Sequence, residues 1–286
     1  MSVSTAVIDG ILTRYTAEGS GPPLLMFSPG GFGASMDSWD KHGLYHRTRM
    51  LAQLRKRFSC ITFDKRESGE SGGRVERVSW SDYVSQGVGL LDHLGLARAH
   101  IMGGCVGCSI AALMATTRPD RVAGMVLYSP AGGVKYRMKQ HVRFEAHLAF
   151  VADEGLGGVA ALAATTDAGF SEDGRLGPWV TVLRHDPEFR AHYVGLDRDR
   201  YRTIVSGMSR SLFDRDTVPG PEPEDLLVSE IPALIVPGED SSHAPSAARY
   251  LHECLPHNEY WDVPVAAQTA ETAPARVIDF LASVAL

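Results

Sequence analysis

The sequence is short of most features that would assign a class at once. Its 286 residues include only 4 cysteines, Cys60, Cys105, Cys108 and Cys254, too few for a disulfide framework and consistent with a reducing, cytoplasmic setting. Beyond Cys105 and Cys108 there is no second Cys-x-x-Cys and no closely spaced histidine pair, which argues against zinc, and no cofactor is expected. Lys and Arg number 28 against 34 Asp and Glu, a net charge of -6 without a basic cluster, so nucleic acid is not an expected partner. No apolar run approaches a membrane span, and Met1 to Asp9 lack the basic-then-apolar order of an export signal. No repeat or low-complexity tract occurs. A small-molecule substrate is the expected partner, with a homo-oligomer left open.

What the sequence does have is a pinched turn. Ile101-Met102-Gly103-Gly104-Cys105-Val106-Gly107-Cys108-Ser109 reads as a strand end, a glycine-flanked turn and a helix start. A nucleophile elbow needs small residues two before and two after the reactive side chain, because strand and helix backbones crowd there. Gly103 and Gly107 occupy both places. The Cys105 sulfur then projects at a helix N-terminus, where the backbone dipole favours a thiolate. Two other readings compete: a buried inert cysteine, and a redox Cys-x-x-Cys with Cys108. The paired glycines and the length of the chain favour the elbow, with Cys108 in a packing role.

Around the elbow, strands alternate with helices. Ala6 to Tyr15 suits a strand pair, Leu24 to Phe27 and Phe58 to Phe63 buried strands, Met50 to Arg57 and Trp80 to Leu94 helices, and Val122 to Tyr128 another strand. Such alternation implies a mostly parallel sheet covered on both faces. From Gly132 to Glu230 the pattern turns helical, with stretches at Arg137 to Ala152, Leu156 to Ala164 and Pro187 to Ser211, and Pro219 to Glu224 reads as a stiff linker. Ile231 to Val236 and Glu259 to Val263 resume the sheet, and Pro274 to Val284 closes with a helix.

Three motifs in this order carry a resemblance. Ser28-Pro29-Gly30-Gly31-Phe32-Gly33 follows the third strand, Asp64-Lys65-Arg66-Glu67-Ser68-Gly69-Glu70-Ser71 is similar to a D-x-R-G-x-G-x-S turn with Glu67 in place of its first glycine, and the elbow comes third. The chain resembles the α/β-hydrolase superfamily over nearly its whole length, as a capped member with a cysteine nucleophile and a non-standard triad. The resemblance implies an α/β fold, a core of residues 1-131 and 231-286, and a helical cap of residues 132-230. It also implies an oxyanion hole from the N–H of Phe32 or Gly31 together with that of Val106.

The departures bear on mechanism. The family's acid falls on Ser241, leaving Asp240 one residue early, and no histidine follows His257, with Gln268 near the place expected for the base. His243, in Gly238-Glu239-Asp240-Ser241-Ser242-His243, is the candidate replacement, oriented by Asp240 or Glu239; a polar loop residue is the competing reading and stays open. His42, His46, His141 and His147 have weaker cases. A thiol needs less activation than a hydroxyl, but hydrolysis of a thioester still calls for a base. The expected function is therefore a cysteine-dependent hydrolase of esters, lactones or thioesters, with C–C bond cleavage or lyase chemistry as a related outcome. The alternative is a non-catalytic small-molecule binder on the same fold. Insertion aromatics including Phe144, Trp179 and Tyr201 suit an apolar substrate, and Arg137, Arg143 or Arg184 could meet a carboxylate on it.

Overall fold

A computed structural model describes residues 3-286. Eight strands form one sheet in the order β1-β2-β4-β3-β5-β6-β7-β8. They are β1 (Ser4–Ile8), β2 (Ile11–Glu18), β3 (Pro23–Phe27), β4 (Ser59–Phe63), β5 (Ala99–Gly104), β6 (Val122–Tyr128), β7 (Ala233–Val236) and β8 (Asn258–Tyr260). The β1–β2 and β2–β4 pairs are antiparallel, and every other pair is parallel.

The strand sequences explain the layering. β5 and β6 are buried throughout, as continuous apolar runs in a doubly covered parallel sheet must be. Alternate side chains feed two cores: Leu25, Phe27, Ile101 and Leu127 pack on one face, and Leu24, Met26, Met102 and Val126 on the other. The helix Gly107–Thr117 lies against β5 and β6 with small side chains inward. The loops following β3 and β5 thus emerge side by side at the carboxyl edge of the sheet, where ligands of open α/β sheets bind.

Between β6 and β7 the chain is helical and carries no strand. The two helices expected around Arg137 to Ala164 run together as Val134–Ala163, broken only at Gly155 with φ 70° and ψ -178°. Gly155, Gly157 and Gly158 all fall here, yet only Gly155 leaves the helical conformation. In length this element reaches a membrane span, contrary to the expectation from composition, yet it packs along Arg198–Leu212 and buries Tyr136, Phe144 and Val151 in protein. The single helix expected over Pro187 to Ser211 is instead two, Pro187–Val194 and Arg198–Leu212, because Asp197 accepts from the Arg200 N–H and caps a new start. The linker is shorter than expected, since Pro223 already begins a helical turn. Trp80 Nε1 donating to Leu212 O (3.2 Å) and Thr181 Oγ1 to Glu67 O (2.8 Å) fasten this segment to the sheet layers.

Candidate active site

The turn after β5 is as tight as its glycines suggest. Cys105 has φ 53°, a left-handed conformation that costs a non-glycine residue roughly 1 kcal/mol or more. A Cβ on Gly103 would lie 2.3 Å from Gly107 O, and one on Gly107 would lie 2.2 Å from Phe27 O. No side chain fits at either position. Cys105 is further held by its N–H to Tyr128 O (3.2 Å) and its carbonyl to Ala131 N (3.2 Å). Cys108 lies buried one turn on, with its thiol donating to Gly103 O at 3.1 Å and burial pushing its pKa well up. Both cysteines are free thiols, and Cys108 serves as packing and a cap on the elbow backbone.

The loop after β7 brings His243 to this sulfur. Asp240 closes the loop on itself: its Oδ1 accepts from Ser242 N (2.7 Å) and His243 N (3.0 Å). The same carboxylate faces His243 Nδ1 at 2.8 and 2.9 Å. The other ring nitrogen, Nε2, is buried without an oxygen or nitrogen partner, and Cys105 is the titratable group it meets on that side. The approach is close enough to couple the two titrations without being aligned as a finished hydrogen bond, a common state of a resting catalytic pair. Burial opposes charge on His243, yet the Cys105 thiolate and then Asp240 outweigh it and raise its pKa to about 9. Burial likewise opposes the thiolate, but His243 and the N–H groups of Gly30 and Val106 bring the Cys105 pKa below its ordinary value. Glu239 points elsewhere, accepting from Val265 N at 3.1 Å.

The N–H groups of Gly30, Gly31, Phe32 and Val106 donate to no oxygen among the described residues. Sequence pattern named Gly31, Phe32 and Val106; the structure adds Gly30, whose N–H reaches the sulfur. Phe32 anchors this loop by stacking edge-on with Phe144 and Phe170. The following turn braces it: Asp64 Oδ1 accepts from Met36 N (2.7 Å), and Lys65 Nζ donates to Ser28 O (3.2 Å) and Gly30 O (2.8 Å). Glu67, at φ 62° where the family turn has glycine, is buried and paired with Arg66 at 3.0 Å. Burial raises its pKa to about 7 against the opposing pull of Arg66.

A narrow cleft of about 20 Å³ adjoins the elbow, lined by Gly31, Phe32, Lys65, Val106 and Ile110 with Trp80, Tyr83, Tyr136 and Phe213 above them. Lys65, Tyr83 and Tyr136 were not singled out by sequence pattern. They are 18 to 71 positions apart, and only the fold brings them together. Most of the remaining candidates are engaged elsewhere. Gln268 is fully buried, with Oε1 accepting from Tyr128 OH (2.7 Å) and Nε2 donating to the carbonyls of Pro237 (3.2 Å) and Val263 (3.1 Å). His147 sits between Arg175 O and Tyr201 OH, His141 between Phe213 O and Ser209, and His46 on Asp40 O. His42 has no hydrogen-bond partner through its ring among the described residues; it lines one depression with Asp240 and His243, and a Cβ on Gly30 would lie 3.8 Å from its Nε2. Arg137 pairs with Asp216, Arg143 with Gln140 and Ser171 O, and Arg184 with the carbonyls of Ala163 and Ala168, and none of the three lines the cleft.

Comparison with known proteins agrees with this architecture. Residues 23–263 match the family model described as alpha/beta hydrolase fold. The dihydrolipoyllysine-residue acetyltransferase component of the acetoin cleaving system of Cupriavidus necator is 29% identical over 127 residues, 44% of this chain and 32% of that protein. The chain thus matches about a third of that relative. A Bacillus subtilis protein provisionally named 2-succinyl-6-hydroxy-2,4-cyclohexadiene-1-carboxylate synthase is 24% identical over 99% of both chains. Among solved structures, the enol-lactonase of Burkholderia xenovorans LB400 superposes with a TM-score of 0.63 at 20% identity, covering 98% of this chain and 100% of that one. With its sheet order, its elbow and a family match across most of its length, this chain belongs to the alpha/beta hydrolase fold family.

Proposed function

We propose that the protein is a cysteine-dependent hydrolase of carbonyl compounds, esters, lactones or thioesters, with Cys105 as nucleophile and His243, oriented by Asp240, as the proton-transfer group. The observation that carries this reading is the coupling of one imidazole to both Asp240 and the Cys105 thiol. In the resting pair the sulfur is a thiolate and His243 an imidazolium. The thiolate attacks the substrate carbonyl carbon, and the new oxyanion is received by the N–H of Val106 with that of Gly31 or Phe32. Collapse expels the alkoxide, which takes the Nε2 proton and leaves as an alcohol.

Acylation removes the negative charge that held His243 protonated, so its pKa falls back and the neutral ring can act as a base. Water then gives its proton to Nε2 and its oxygen to the thioester carbon. The second collapse releases the carboxylic acid and restores the ion pair. The carbon–sulfur bond made in the first half is broken in the second, and the proton that His243 gives up in the first is regained in the second. The likeness to an enol-lactonase is in keeping with a lactone as one such substrate.

The test is turnover of 4-nitrophenyl acetate with intact-mass measurement during the reaction. Wild type is expected to show a mass increase of one acyl group that maps to Cys105, and Cys105→Ala is expected to lose both adduct and turnover. Equal turnover in the variant would remove Cys105 from the mechanism, and no turnover by either protein would leave the small-molecule-binding alternative.

A further inference from the structure

Lys65 is a buried lysine with no carboxylate in direct contact. Its side chain is 3% exposed, and no carboxylate lies within 4 Å of Nζ among the described residues. Two of its three N–H bonds go to the carbonyls of Ser28 and Gly30, and the third has no acceptor. Burial lowers its pKa to about 8 while Cys105 and then Asp64 hold it up, so it keeps its proton at neutral pH, and its third N–H is left for a ligand in the cleft it lines. Every other side chain lining the cleft is uncharged, and most are apolar: Phe32, Trp80, Ile110, Leu212 and Phe213. Two further donors face the same space. The hydroxyls of Tyr83 and Tyr136 have no hydrogen-bond partner among the described residues, although both side chains are buried. Tyr136 and Lys65 each sense the charge of Cys105, which places them within reach of a substrate attached there.

We propose that Lys65, with the hydroxyls of Tyr83 and Tyr136, is the anion-binding subsite of the cleft and receives a carboxylate carried by an otherwise apolar substrate. A single ammonium matches one negative charge, so a monoanionic carboxylate suits the subsite better than a dianionic phosphate. The inference deepens the hydrolase reading by naming the substrate class, an ester or lactone that bears a free carboxylate. Lys65 contacts the substrate as a specificity group, while its bonds to Ser28 O and Gly30 O transmit binding to the loop that carries the oxyanion donors.

The test separates binding from chemistry by using Cys105→Ala protein, which cannot form an adduct at that residue. Phenylacetate and its neutral match phenylacetamide are titrated calorimetrically, with phenyl phosphate as a third ligand. Phenylacetate is expected to bind at least about tenfold tighter than the amide and tighter than the phosphate, as a charge-assisted bond to a buried ammonium allows. Adding Lys65→Met is expected to bring the carboxylate-to-amide ratio close to one while amide affinity stays within about twofold. Equal affinities in the Cys105→Ala protein, a preference for the phosphate, or a carboxylate preference that survives Lys65→Met would overturn the proposal. Should Lys65→Met fail to fold, Tyr136→Phe reads the same subsite: about a threefold loss of the preference is expected, and no loss overturns it. Loss of the nucleophile reading would leave these ratios unchanged, so the two failures are distinguishable.

Discussion

Alkylation of Cys105 as a function of pH measures the ion pair directly. His243 rises from an ordinary 6.5 to about 9 despite burial, a net stabilisation of its charged form by about 3 kcal/mol. Cys105 and then Asp240 supply that effect, and loss of the imidazolium is expected to cut the thiolate population at neutral pH by about tenfold. The perturbation is His243→Asn, which removes the positive charge while keeping a polar group of similar size. Iodoacetamide labelling from pH 5 to 9, followed by peptide mapping, should show wild-type Cys105 reacting fast at neutral pH and losing reactivity only toward acid. In the variant the labelling rate at pH 7 should fall about tenfold and the profile move to higher pH. The other thiols are internal controls, because burial raises the pKa of Cys60 to about 12, of Cys108 well above its ordinary value, and of Cys254 in the same direction. A wild-type profile that climbs only toward pH 9, unchanged in the variant, would refute the pairing.

Other outcomes follow from the same geometry. Asp240 is 66% exposed, so Asp240→Asn should lower kcat/KM on an activated ester by no more than about tenfold, a loss of a thousandfold in initial-rate assays being inconsistent with so screened a partner. Gly107→Ala puts a methyl 2.2 Å from Phe27 O and should cost more than about 3 kcal/mol in urea unfolding, or prevent folding. Gln268→Leu strands Tyr128 OH and two carbonyls in the interior and should cost about 2–4 kcal/mol by the same measurement, whereas a change below about 0.5 would show that water replaces the amide. Burial lowers the His147 pKa to about 4, so below pH 6.5 the unfolded chain takes up a proton that the folded one refuses; stability is present above 6.5 and lost as pH falls toward 4, by up to about 3 kcal/mol, and His147→Gln should flatten that part of a denaturation-versus-pH curve.

The elbow was legible because its requirement is local. Gly103 faces Gly107 O at 2.3 Å within the turn itself, and Gly107 faces Phe27 O at 2.2 Å where any such elbow must pack on the neighbouring strand. The Asp240 and His243 pair was legible for the same reason, since an acid and a base three apart in a turn can hydrogen-bond whatever the rest of the fold does. Lys65, Tyr83 and Tyr136 were not, because what joins them is the convergence of a turn after β4, the helix Trp80–His93 and the start of the helical insertion. Gly155 shows the complementary failure: a glycine that reads as a helix boundary is absorbed as a kink once both halves find packing partners.

The absence of a histidine after β8 was visible in the sequence, but its consequence needed the structure. Gln268 ties Tyr128, Pro237 and Val263 together with a neutral amide, and so closes the sheet end where the family's base would enter. The imidazole comes instead from the loop after β7, and this changes what controls it. Gly132 N donates to Ser242 O (3.0 Å) and Ala244 N to Gly132 O (3.4 Å), so backbone bonds flank His243 on both sides and tie it to the root of the insertion. Gly132 has no room to give: a Cβ there would lie 2.7 Å from Thr217 O and 2.9 Å from Ala247 Cβ. Imidazole position is therefore set jointly by Asp240 and by the junction at Gly132, and substitutions at that junction should change the Cys105 alkylation profile without touching either residue of the pair.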